Sequence, residues 1–159
     1  MGKESKEIRK KRLILWGILA GFIGTLIMTL LMYVGRFKLG TPFIPELIAQ
    51  KLSVALYSYG KPSVFVCATV IHLFMGTLLG ALFIYFLKTA KVKHSIKPAL
   101  LYSVFLWLIF SAVVLPLLGF GFFGKYLAGI PSIGEAALLI LYLIYGYTIY
   151  LFSIRLKDD

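Results

Sequence analysis

The chain has 159 residues, of which 60% are hydrophobic and only 14% charged, with a mean hydropathy of +0.94 and a formal net charge of +11. A water-soluble domain of this length cannot hide so much apolar surface, so the composition excludes one and points to a lipid bilayer as the solvent. The basic excess calls for no nucleic acid, because the lysines and arginines cluster at the edges of uncharged stretches, as the positive-inside rule requires.

Residues 1–12 form a basic segment carrying Lys3, Lys6, Arg9, Lys10, Lys11 and Arg12. Lys10, Lys11 and Arg12 abut the first apolar stretch and are placed to meet anionic lipid headgroups, at about 1 kcal/mol per basic residue near the surface. Residues 13–35 contain no Asp, Glu, Lys or Arg, which predicts the first transmembrane helix. The run of 23 residues is too long for the apolar part of a secretory signal, and Arg36 and Lys38 follow it instead of a cleavage site, so it is expected to be retained. It carries Gly17, Ala20, Gly21 and Gly24, small residues at four-residue steps that let helix backbones come close.

The first outer loop opens with GTPFIPE at 40–46, and the segment after it places Ile48, Leu52, Ala55 and Leu56 on one helical face with Glu46, Gln50 and Ser53 opposite. This predicts a short amphipathic helix at the interface, over about 45–57. Pro45 and Glu46 suit its first turn, where proline is tolerated and a carboxylate meets the positive helix end.

The second span is predicted over 63–87. It holds the single cysteine, Cys67, which has no partner for a disulfide and reads as packing. It also holds Gly76 and Gly80 at GxxxG spacing, and His72, the one histidine in any span. An ionisable residue there faces protein or water and is a candidate for function, against the simpler use of a neutral imidazole bonded to a neighbouring helix. Lys88, Lys91, Lys93, Lys97 and His94 then mark an inner loop.

The third uncharged stretch covers 98–124, with Pro116 expected to end its helix near Leu115. Gly119–Gly124 spells G-x-G-x-x-G but lacks the preceding strand of a dinucleotide loop, so these glycines are read as a turn at the interface. A second heptapeptide in the same frame, GIPSIGE at 129–135, precedes the fourth span at 136–154. Ser132 and Glu135 have capping-box spacing for that helix. The span carries Tyr142, Tyr145, Tyr147 and Tyr150 around Gly146, which predicts a polar seam with the second span.

The two heptapeptides, each after an odd-numbered span, and the match of Gly76 to Gly146 and His72 to Tyr142 suggest an all-α, polytopic fold. It is built as two tandem helix–loop–helix repeats, about 13–88 and 98–155, within one membrane domain of residues 13–159. Twelve basic residues fall on the side of the termini and five on the other, so both termini are expected in the cytoplasm of a multi-pass cell-membrane protein. If the repeat brings Glu46 and Glu135 together, they form an outer vestibule for a cation or a basic partner; otherwise they are helix-end residues.

The blocks GILAGFIGTLIMTLLM, TPFIPELIA, IHLFMGTLLGALF and LPLLGFGFFG resemble an uncharacterised family of small four-helix integral membrane proteins of archaea and bacteria. The resemblance covers about residues 15–150 and implies a polytopic membrane protein with no established activity. It also implies a histidine in the second-helix block, matched by His72, and often one in the fourth, where Tyr142 stands instead.

No nucleophile–base pair, catalytic carboxylate pair, metal-ligand cluster or phosphate loop is present in the pattern, so the chain is not expected to be an enzyme. The expected role is a non-catalytic accessory or assembly subunit of a larger membrane complex, docking by its glycine faces and loops. The alternative is a small oligomeric transporter or channel with His72, Glu46 and Glu135 on its path. Expected partners are lipids and other membrane subunits or a second copy, without nucleic acid or metal. No cofactor is expected; haem on His72 would require an axial ligand from a partner, since no second intramembrane histidine exists.

Overall fold

A computed structural model describes residues 3–52, 61–90, 95–125 and 131–155 of the chain. The described residues form five helices: α1 (Lys3–Leu39), α2 (Ile44–Leu52), α3 (Lys61–Thr89), α4 (Ile96–Ile109) and α5 (Pro131–Ile154). Four stretches are long and apolar enough to cross a bilayer: Lys11–Lys38, Val64–Thr89, Ile96–Leu117, which runs on past Ile109, and Glu135–Ile154. The shortest has 20 residues, which at ~1.5 Å per residue covers the ~30 Å of hydrocarbon. In that solvent every backbone amide must be satisfied inside its own segment, and the helix does so.

Helix α1 runs unbroken from Lys3, so the basic segment continues the first span instead of preceding it as a separate piece. Trp16, near its start, packs against Phe152, near the end of α5, with ring centroids 6.0 Å apart. The start of α1 and the end of α5 therefore lie at one end of the bundle, here the terminal end. Helix α2 and the turn at Gly119–Gly124 lie at the other, the distal end.

Helix α4 differs from expectation in where it yields. Pro116 has no N–H to give Ala112, and the α-helix gives way six residues before it, to a π-turn over Phe110–Val114. The Leu115 N–H reaches back five residues to the Phe110 carbonyl. A last helical piece, Leu115–Leu117, carries the span two residues past the expected end. Gly119, Gly121 and Gly124 then take positive φ (79°, 75° and 68°), which is what the glycine-rich turn needs. Phe123, between them, also has positive φ (53°), an uncommon state for a non-glycine residue.

Packing runs α3–α1–α5–α4. Helix α1 lies along both α3 and α5, and α5 along α4. The fourth side of the bundle is different: α3 and α4 make no extended backbone approach among the described residues. They meet through a side chain, with the Tyr102 hydroxyl donating to the Leu79 carbonyl at 3.0 Å and its ring stacked on Phe83 at 4.5 Å. Accordingly, 44% of the most apolar window of α1 is buried against only 17% of that of α4.

Helix α2 occupies part of the expected 45–57 interval; residues 53–57, with Ser53, Ala55 and Leu56, lie outside the described residues. Its facing is also a correction. Pro45, Glu46 and Ala49 are buried, so Glu46 points into the protein instead of lying on an exposed polar face.

Candidate functional site

The glycines set how close the helices come. A Cβ at Gly17 would sit 2.9 Å from the Ala81 Cα, and one at Gly21 2.6 Å from the Thr77 carbonyl oxygen. One at Gly80 would overlap the Gly21 backbone, and one at Gly24 would lie 2.9 Å from the Tyr145 ring. Gly76 receives Thr25 of α1, and Gly146 receives Ser103 of α4; a methyl group at either glycine would overlap the facing hydroxyl oxygen. Both hydroxyls donate to the carbonyl four residues back, Thr25 to Gly21 at 2.7 Å and Ser103 to Ala99 at 3.0 Å. The small residues at Gly17, Gly21, Gly24, Gly76, Gly80 and Gly146 thus all face other helices of this same chain.

Above these contacts the span interior turns polar. The Tyr145 hydroxyl donates to the Gly76 carbonyl at 2.6 Å, joining α5 to α3. Tyr142, one turn toward the distal end, packs its ring against Phe110 at 6.1 Å and forms no hydrogen bond to His72. His72 lies one turn beyond Gly76 on α3 and eleven residues, three full turns, from Phe83, so it shares the face that looks toward α4. Its Nε2 is buried and has no hydrogen-bond partner in the protein. A polar atom in that position costs free energy until something pairs with it. His72 and Tyr142 therefore lie at one depth of the bundle, unpaired with each other.

Of the two glutamates, Glu46 is engaged within the chain. Glu46 forms an ion pair with Arg36 and accepts from the Gln50 side chain at 3.3 Å. Arg36 also lies over the Phe65 ring at 5.6 Å, beside a cluster in which Tyr33 packs on Phe43 at 4.8 Å and on Phe65 at 5.1 Å. The Tyr33 hydroxyl pairs with Thr69 Oγ1 at 2.6 Å, tying the end of α1 to α3. A carboxylate so engaged is a latch between α1 and α2, since its charge is already matched. Glu135 stands half-buried near the start of α5 and takes no part in this cluster. The helix begins at Pro131, a favourable first position, so Ser132 falls inside it, and its side chain lies outside the described residues.

At the terminal end Lys11 and Arg12 are exposed; the side chain of Lys10 lies outside the described residues. Among the described residues no three of His, Cys, Asp and Glu gather as a metal site. Sequence reasoning missed Tyr33, Tyr102, Arg36, Trp107 and Ser111. The tyrosines had a signal, a hydroxyl inside an apolar run, whereas nothing local marks Arg36 as the partner of Glu46. Comparison with protein-family models, with curated proteins and with solved structures found no match to this chain.

Proposed function

We propose that the chain is a non-catalytic accessory or assembly subunit of a larger membrane complex, and that it receives a partner's transmembrane helix between α3 and α4. The observation that carries this reading is His72 Nε2, buried and unpartnered on the side of the bundle where two helices fail to close. Lipid chains cannot satisfy an imidazole, but a hydroxyl, amide or backbone carbonyl of an incoming helix can.

A tandem repeat supports the same site. Two helix–loop–helix units related about the membrane normal would pair α1 with α4 and α3 with α5. The matching of Thr25 on Gly76 with Ser103 on Gly146 fits that relation, each hydroxyl bonding back along its own helix. Under it, the α1·α5 contact corresponds to α4·α3. The first is packed, through Gly24 on Tyr145 and Trp16 on Phe152, and the second is open. The open position is where a second polypeptide supplies what the first unit supplies elsewhere. Both termini face the cytoplasm in this arrangement, with Lys10, Lys11 and Arg12 at the inner headgroups.

The π-turn favours a second reading, a small oligomeric transporter or channel with His72 on its path, because interrupted helices recur at transport sites. The engagement of Glu46 by Arg36 weighs against it. Gentle detergent extraction followed by native mass spectrometry separates the two. Stoichiometric co-purification with larger subunits, reduced by His72→Leu, supports the accessory role. A homo-oligomer whose reconstituted vesicles show flux that depends on His72 contradicts it.

A further inference from the structure

Two buried side-chain polar atoms beside the π-turn of α4 have no partner, and they stand one turn apart on the helix. Among the described residues six Ser or Thr side chains are buried: Thr25, Thr29, Ser103, Ser111, Thr148 and Ser153. Five of them donate to a carbonyl three or four residues back on their own helix. Ser111, with 0% of its surface exposed, is the exception, and its Oγ has no partner. It stands at the entry to the π-turn, where the Phe110 N–H is shared between the Leu106 and Trp107 carbonyls. The Trp107 side chain, one turn before Ser111, has the same problem, because its Nε1–H is buried and donates to nothing in the protein. The Phe123 ring covers it at 5.5 Å, from a residue held at positive φ and followed by the buried Gly124.

From this we infer that the π-turn and the glycine turn beyond it enclose a hydration site, in which an internal water accepts from Trp107 Nε1–H and is bonded to Ser111 Oγ. Water has the chemistry the two atoms demand. One atom is a pure donor, the other donates and accepts, and both are screened from the surface, so a lipid headgroup oxygen cannot reach them. The widened turn, the displaced hydroxyl and the strained phenylalanine then belong to one device. A helix interrupted near the distal end of its span, ahead of Pro116, then carries its own solvent.

Nuclear magnetic resonance on the Trp16→Phe protein in lipid nanodiscs tests this, since the chain has two tryptophans and only Trp107 then contributes an indole proton. A dipolar cross-peak between that proton and water, retained in deuterated lipid, is expected. Ser111→Ala should abolish it and shift the indole resonance, and Ser111→Thr, which keeps the hydroxyl, should preserve it. Contacts to lipid protons alone would overturn the proposal in favour of a headgroup oxygen. An indole signal without a water contact, unchanged by Ser111→Ala, would overturn it as well.

Discussion

Single side chains decide how this bundle closes. Gly76 and Gly146 each receive a hydroxyl from the facing helix with no room for a methyl group. Gly76→Ala and Gly146→Ala should each cost ~1–3 kcal/mol as overpacking, read as lower unfolding midpoints in mixed micelles. Thr25→Ala combined with Gly76→Ala should recover part of the first loss, which a merely helix-favouring effect of alanine would not predict. The Arg36–Glu46 pair is half open to the surroundings at Arg36. Glu46→Gln should therefore cost only about 1–2 kcal/mol and lower thermal stability while leaving any partner complex intact. Loss of partner binding without loss of stability would revive the vestibule. The sequence showed Glu46 in a helix-opening turn but not its facing. The periodicity of Ile48 and Leu52 put it on the polar side, and an ion pair reaching back ten residues to Arg36 overrode that pattern.

At the scale of elements, the four spans were legible because charge is absent over lengths that only a bilayer needs. The turn after α4 was legible too, since its glycines take the positive φ that a turn requires. Where α4 gives way was not. Pro116 announces a missing hydrogen bond, but the backbone spreads that loss over the preceding π-turn, which leaves no mark in residue type. Pro116→Ala should restore ordinary α-geometry and slow amide exchange across residues 110–117. Unchanged exchange would mean that the turn beyond, and not the proline, holds the π-geometry. Between elements, Tyr102→Phe removes the hydroxyl that ties α4 to α3. One interhelical bond in a membrane contributes about 0.5–1.5 kcal/mol. The variant should therefore loosen the α3–α4 distance distribution, measured between spin labels, more than it lowers overall stability.

For the whole molecule, the packing order leaves one side of the bundle joined by a tyrosine and a stacked ring instead of by backbone contact. Sequence symmetry pointed to paired helices but not to this inequality, because glycine spacing marks a close approach without naming the helix that makes it. The account rests on that side being where another polypeptide enters. Ile109 lies two turns from Tyr102 on the same face of α4 and is 40% exposed, opposite the His72 face of α3. A photoreactive residue at position 109, irradiated in native membranes, should yield an adduct with a second protein of defined mass that His72→Leu diminishes. Adducts confined to lipid or to α3 of the same chain would contradict it.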